Sequence, residues 1–360
     1  MRGKPRSIRV APGRVLIATR VFDTYWRFAS QRQELFMRRV TGAPPPWTVD
    51  RVLATHRFTN VYRAADRVSQ YLIRHVLYEG SQTDDEVVFR ALLFKLFNRI
   101  ETWERLSKEL GRLSWQTFDV DRYARVLDHM MTSGERVYSA AYIMPSPAFG
   151  KARKHRNHLL LLDHMMRDGA AQHVARAHSL REVFEKLRSY PSLGDFLAFQ
   201  FAIDLNYSIA IDFSEMDFVV AGPGARNGIR KCFTDTAGLD DSDVIRAVAE
   251  RADDEFGRLG LEFDSLWGRP LQLIDCQNLF CEVDKYARVV HPEFNGASGR
   301  TRIKQKYTPR QLRTPQWYPP KWRLRVPDVP ANGGTVSSAA DSESGQGCAH
   351  RSSMAETRRR

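Results

Sequence analysis

Three carboxylates, Asp212, Glu215 and Asp217, follow an apolar stretch and precede a Gly222-Pro223-Gly224 turn and the basic residues Arg226, Arg230 and Lys231. An ionised carboxylate beside a reacting group either offsets positive charge that develops as a bond weakens or takes up a proton as a general base. Just upstream the chain reads as helix, turn, helix. Ser179 and Glu182 have the spacing of a capping box, Pro191 closes the first helix, and Gly194 sits in the turn before a new apolar run that carries Gln200. Backbone N–H groups at such a turn and helix start suit an anion, with phosphate as the expected guest. A positive φ at Gly194 would explain a glycine there. Pro191, Gly194, Gln200, Gly222, Gly224, Arg226, Arg230 and Lys231 are therefore candidate phosphate contacts.

Other chemistries find less support. The cysteines Cys232, Cys276, Cys281 and Cys348 are too scattered for a disulfide framework, and Cys276 and Cys281 sit in an apolar helix as core residues. His155, His158 and His164 lie near Asp163 and Asp168, but without the ligand spacing of a metal helix, so no metal is expected. Phosphoryl transfer of the P-loop kind needs Gly-x-x-x-x-Gly-Lys-Ser/Thr; residues 222–231 do not match it, nor does any other stretch, and no cofactor is evident.

Two further polar groups stand out. Arg57 to Leu72 has apolar residues at helical spacing, with Asn60, Arg63, Asp66, Arg67 and Gln70 on its polar side. Glu282, Asp284 and Lys285 form a charged cluster on a helix expected over Leu271 to Val290. Each is either a solvated face with internal ion pairs or a polar site.

Charge points to a polyanionic partner. The formal net charge is +13 and the pI is about 9.8. From Ala297 to Val326 there is no acid, and Arg300, Arg302, Lys304 and Lys306 lead a basic run interleaved with Tyr307, Trp317, Tyr318 and Trp322. Basic side chains contact phosphates and aromatics stack on bases, which makes DNA the expected partner. The alternative is an extended arm that packs its tryptophans on a helical core and leaves its charges in water.

The elements that must position these residues are helices. Helical spacing runs from Phe22 to Val40, from Thr83 to Phe97, from Ile100 to Leu110, from Asp121 to Thr132, and through an acidic segment from Leu239 to Leu259. Alternating strands are nearly absent, so the fold class is all-α, a multi-helix domain. The expected organisation is a flexible basic arm over 1–14, a helical domain over 15–292, a basic aromatic arm over 293–329 and a disordered tail over 330–360. With 360 residues, 42% of them hydrophobic, the chain is long enough to bury a large core. No run of about 18 apolar residues occurs, so no membrane association is expected, and a cytoplasmic, nucleoid-associated location follows.

The order Pro191-x-x-Gly194 hairpin, apolar helix, short loop, acid resembles the helix-hairpin-helix DNA glycosylases. That resemblance implies Asp217 as the catalytic acid, with Glu215 its neighbour. Ser192 stands where those enzymes usually carry glycine. Asp195-Phe196 stands where the bifunctional members place a lysine, so Schiff-base strand cleavage is not implied. More narrowly, Arg57 to Leu72, Asp217 to Arg230 and Asn278 to Tyr286 resemble the helical domain of the 5-hydroxymethyl-deoxyuridine (5-hmdU) DNA kinase family, also described as α-glutamyl/putrescinyl thymine pyrophosphorylases. This second resemblance covers most of residues 15–292. It implies a DNA-binding protein that acts on or recognises a modified thymine, working with a separate kinase or transferase protein. The alternatives it leaves are a monofunctional glycosylase-like enzyme and a non-catalytic DNA-binding module.

Overall fold

The computed structural model describes residues 6–141, 143–294, 299–308 and 315–327. Fourteen α-helices and one small sheet make up the regular structure of these residues, the all-α class expected from the helical spacing.

The chain enters through a hairpin. Arg6–Ala11 (β1) and Arg14–Ala18 (β2) pair antiparallel with Ile8 opposite Leu16, both buried, and Phe233–Asp235 (β3) adds to β2. The flexible arm expected over 1–14 is therefore corrected from residue 6 onward. The alternation of Ile8 and Val10, then Leu16 and Ala18, about a Gly13 at φ +73° is a hairpin pattern, masked in the sequence by the arginines between. Arg6 closes on the buried Glu255 at 2.6 Å.

Arg20–Val40 (α1) starts at Thr19, whose side chain accepts from Val21 N, and buries Phe22, Tyr25, Trp26, Phe28, Leu35 and Phe36 along one stripe. Arg51–Thr55 (α2) is capped by Asp50. The helix expected over Arg57 to Leu72 is broken. Residues 57–62 are irregular, a 3-10 turn covers Arg63–Ala65, and Arg67–Tyr71 (α3) runs on as a π-helical stretch, Leu72–Leu77. The cause is local side-chain competition for the backbone: Asp66 accepts from Asn60 N at 2.8 Å, and Asn60 Nδ2 donates to Ala65 O at 2.7 Å.

Asp84–Phe97 (α4) opens with three acids, which suit a helix N-terminus, and is then buried on every side. Lys154–Arg167 (α7) and Ala170–Arg176 (α8) pack on it, Ile100–Leu110 (α5) meets it through Trp103 against Phe94, and Val120–Thr132 (α6) packs on α5 and α7. Leu180–Arg188 (α9) and Asp195–Asn206 (α10) form the helix-turn-helix. The expected cap holds: Ser179 Oγ accepts from Glu182 N, and Glu182 accepts from His178 N. Every residue of α10 from Leu197 to Asn206 is buried, so α10 and α4 together are the centre of the core.

Pro223–Cys232 (α11), Asp241–Ala249 (α12), Ala252–Arg258 (α13) and Leu273–Val290 (α14) complete the set. The acidic segment is two helices rather than one, because Glu250 and Arg251 turn the chain between α12 and α13. Helix α14 is the axis against which α1, α11 and α12 pack.

The described parts of the basic aromatic arm lie on this core. Tyr307 N donates to Thr55 O and Arg57 N to Gln305 O, at 3.0 and 3.1 Å. Trp317 N donates to Gln70 Oε1 at 2.8 Å, and Tyr318 is buried. Lys321 Nζ reaches the carbonyls of Asn206, Ser208 and Ile211 at the end of α10, at 2.7, 2.8 and 2.5 Å. The expected tail, 330–360, lies outside the described residues. Among the described residues no helix is long and apolar enough to cross a membrane.

Candidate functional site

Helix α9, the start of α10, the 217–221 loop, α11 and α12 enclose a cleft of about 440 Å³. Phe184 and Phe218 form its apolar floor, with ring centroids 5.0 Å apart, and the Arg181 guanidinium lies 4.4 Å over the Phe218 ring. Asp217 is exposed on the cleft wall, and its loop is pinned from behind by Arg246, which donates to Met216 O at 2.6 Å and Asp217 O at 2.8 Å. Asp195 of the turn pairs with Arg188 at 2.6 Å, and Arg226 lies 3.6 Å from Asp241. The cleft thus gathers Asp217 and Arg226 with the helix-turn-helix. The carboxylate of Asp217 caps no helix, since α11 begins at Pro223 behind Gly222.

The turn has a different chemistry from the one expected of Gly194. That glycine has φ −73° and ψ 173°, an extended conformation open to any residue, and a Cβ there would meet open space. Ser192 carries the positive φ, +65°, at the position where the resembling glycosylases place glycine. Pro191 is exposed beside it.

Several candidate phosphate contacts lie inside the protein. A Cβ on Gly222 would come within 2.7 Å of the Phe196 ring, and one on Gly224 within 2.6 Å of Cys281 Sγ. Gly222 is the N-cap of α11 and Gly224 seats that helix on α14, so the expected Gly-Pro-Gly turn is a helix start built for close packing. Lys231 is buried and bonds Asp284 Oδ1 and the Asp284 carbonyl, each at 3.0 Å. Gln200 is buried and accepts from Arg63 Nε at 3.2 Å. Gly222, Lys231 and Gln200 are therefore corrected from surface contacts to interior residues, and Gly224 from a substrate-facing turn to a packing position. Arg226 and Arg230 remain exposed, as do Arg300, Arg302, Lys304 and Lys306.

Glu215, two residues from Asp217, points the other way. It is buried, lies 3.3 Å from Arg269, and burial raises its pKa against the opposing pull of Arg269, Arg63 and Lys321. Asp275, at the start of α14, is buried nearby. It accepts from Arg63 N and Gln272 N, yet burial and then Glu215 push its pKa up to about 7. The Arg63 guanidinium contacts Asp204 at 2.6 Å, and Lys95 contacts the same carboxylate at 2.7 Å. Burial alone would raise Asp204, but the two cations hold it below its ordinary value. Trp322 of the arm covers this layer, with the Arg269 guanidinium 3.8 Å from its ring.

The polar face expected on Arg57 to Leu72 is thus an interior layer, apart from the exposed Arg67, which lies 3.8 Å from Glu101. On α14, Asp284 is buried between Lys231 and Arg288, while Glu282 pairs with Lys285 at 2.6 Å and accepts from Thr59 N. These charges are structural partners rather than a solvated face.

Sequence reading did not single out Asp204, Arg269 or Asp275. A lone acid in the apolar run Phe201-Ala202-Ile203-Asp204-Leu205 is the signal that could have marked the layer, because a buried carboxylate needs a cation. His155 bonds Asp128 at 2.7 Å alongside Arg153 and Arg156, and His158 bonds Tyr138 and Pro145 O.

A helical domain with a mixed-charge cleft beside a helix-turn-helix, set on a buried ionic layer, is the class these features define. The chain belongs to the family of 5-hmdU DNA kinase helical domains, whose model, described as "5-hmdU DNA kinase, helical domain", matches residues 19–296. A protein named 5-hmdU DNA kinase from Bacillus phage SP10 is 30% identical over 293 aligned residues, covering 74% of this chain and 45% of that protein. The chain therefore spans less than half the length of this relative. No solved structure matches.

Proposed function

We propose that this chain is the DNA-directed helical part of a system that acts on a thymine of the 5-hydroxymethyluracil type in DNA. Family membership over residues 19–296 carries the reading, and the relative bears the name of a kinase acting on that base. In this reading the cleft receives the modified nucleotide after it leaves the stack, as base-modifying proteins require. Phe184 and Phe218 offer apolar contact, Arg181 and Arg226 face the phosphates, and Asp217 acts on the 5-hydroxymethyl group as a general base or orienting acceptor. The residues here hold no P-loop, and in this reading the ATP chemistry is supplied by a kinase or transferase domain outside them. A nucleoid location follows from a DNA substrate.

Ser192 at φ +65° favours a second reading, a glycosylase-like hairpin contacting the DNA backbone. Incubation with 5-hydroxymethyluracil DNA, with and without ATP and with a family kinase domain added, followed by nucleoside mass spectrometry, separates the outcomes. A phosphorylated base dependent on the added domain supports the proposal, a released free base supports the glycosylase reading, and an unchanged base with tight DNA binding supports a recognition module.

A further inference from the structure

Where the C-terminal half of α1, the 55–60 segment and the 304–307 segment meet, the structure collects cations, several of which have no carboxylate partner among the described residues. Lys306 forms an antiparallel bridge with His56, so the two stretches lie side by side as a short extended ribbon. Arg51, Arg57, Lys304 and Lys306 are exposed on it or next to it, and among the described residues none of the four is in an ion pair. Other arginines are paired, as Arg6 is with Glu255, Arg188 with Asp195, and Arg258 with Glu255 and Asp23, whereas on the ribbon four unpaired cations lie together.

Below the ribbon is a built polar seat. Arg32 is buried and donates through Nε to Thr59 O at 2.9 Å and through Nη2 to Asn60 Oδ1 at 2.5 Å. Its Nη1 is buried with no hydrogen-bond partner, and so is the hydroxyl of Tyr307, one of the groups whose charge acts on Arg32. Arg39, seven residues on and so on the same face of α1, lies between the rings of Trp47 and Tyr307, at 5.2 and 5.8 Å. The nearby carboxylates hydrogen-bond other groups, Asp66 accepting from Asn60 N, Glu282 from Thr59 N and Lys285, and Asp50 from Val52 N, Leu53 N and Tyr286, while Asp66 and Glu282 act on Arg32 through charge alone. A buried guanidinium N–H and a buried phenol without partners cost free energy unless an acceptor, an anion or a water, receives them, and a phosphate oxygen suits both donors. Burial holds Arg32 down to about 10, so it stays cationic at neutral pH.

We infer that this ribbon is a backbone track for a nucleic-acid strand, with one phosphate seated between Arg32, Arg39 and Tyr307 and neighbouring phosphates on Arg51, Arg57, Lys304 and Lys306. The seat supplies geometry and the exposed cations supply reach, the combination by which backbone contacts fix a protein's register without reading sequence. The track rests on the proposed function only for the identity of the polymer, DNA, and requires no modified base.

The test uses the full chain and unmodified duplex DNA, read by fluorescence anisotropy at several salt concentrations. Replacing Arg51, Arg57, Lys304 and Lys306 by alanine should weaken binding at least tenfold at low salt. The slope of log affinity against log salt should flatten by about 3.6, since each of the four phosphate contacts contributes about 0.9 to it. A control variant loses the same charge from exposed positions elsewhere, Lys108, Arg122, Arg125 and Arg136, and should keep its slope. Tyr307→Phe keeps the ring under Arg39, removes the hydroxyl and should lower affinity severalfold without lowering the melting temperature. Equal losses in the two four-residue variants would overturn the track, because net charge alone would then explain binding. Full competition by millimolar inorganic phosphate, with DNA affinity unchanged in the ribbon variant, would also overturn it in favour of a small-anion site. Normal binding to unmodified DNA with no reaction on 5-hydroxymethyluracil would leave the track standing and remove the proposed function instead.

Discussion

A Cβ placed on Gly228 would lie 2.1 Å from the carbonyl oxygen of Phe280, so α11 rests backbone to backbone on α14. Gly224, one turn earlier, lies against the Cys281 side chain, where a Cβ would come within 2.6 Å of Sγ. The pair lets the two helices approach as only glycine permits, and this contact sets the position of the cleft wall that carries Arg226.

Gly228→Ala should therefore destabilise the protein by about 3 kcal/mol or more, at the upper end of overpacking costs, because the obstacle is backbone and cannot rotate away. Gly194→Ala meets open space at an ordinary φ and should cost no more than about 1 kcal/mol, the difference between glycine and alanine at an N-cap. Urea midpoints of the two variants check the contrast.

Lys231 and Arg230 are neighbours with opposite fates. Lys231→Met leaves the buried Asp284 with Arg288 alone and should cost about 3 kcal/mol, the low end for breaking a buried pair because one cation remains. Arg230→Ala, on the exposed side, should change stability by less than about 0.5 kcal/mol. Denaturant titration reads both, and any loss of DNA affinity in Lys231→Met should follow its unfolded fraction.

The helices were legible because apolar spacing is a local property. The ends of α5, at Ile100 and Leu110, and the cap at Ser179 follow from residues within a turn of one another. What failed depends on partners far apart in the chain. Lys231 looks like a surface cation until Asp284, 53 residues away, is placed beside it, and Arg63 like a solvated arginine until Asp204 and Asp275 are. The break in Arg57 to Leu72 was local, but it turned on Asn60 and Asp66 bonding backbone rather than water. At the cleft, the sequence order placed Asp217 beside the helix-turn-helix, whereas the inward turn of Glu215 needed Arg269 to explain it.

Asp275 gives the ionic layer a pH signature. Its folded-state pKa, about 7, lies above the ordinary value of 3.8, so between those limits the folded state holds a proton that the unfolded state has lost. This group's contribution to stability is thus fullest below about pH 4, declines by up to about 1.4 kcal/mol per pH unit as pH rises toward 7, and is level above that. Asp128, Asp204 and Glu255, with lowered values, act in the opposite sense at acid pH, so the informative quantity is a difference. Asp275→Asn should be less stable at pH 4, where it gives up one of two backbone acceptor bonds, and the gap to the parent protein should narrow or reverse by pH 7.5. Melting curves across that range test it, and a gap independent of pH would show that Asp275 ionises normally.

The cleft stands or falls on Asp217. The side chain is exposed, whereas the bonds that hold its loop, from Arg246 to Met216 O and Asp217 O, are to backbone. Asp217→Asn should therefore leave the melting temperature within about a degree of the parent, a change consistent with an exposed substitution. If the carboxylate takes a proton from the 5-hydroxymethyl group or orients it, the variant should lose on the order of a hundredfold or more in turnover of modified DNA, the range typical for a general base. Its affinity for unmodified DNA should barely change, because no phosphate contact is lost. Single-turnover rates on 5-hydroxymethyluracil DNA, alongside anisotropy with both DNAs, separate chemistry from binding. Full turnover in a folded, DNA-binding Asp217→Asn protein would clear Asp217 of the role. Glu215 could not inherit it without leaving Arg269, so the reaction would then be carried by groups outside this cleft.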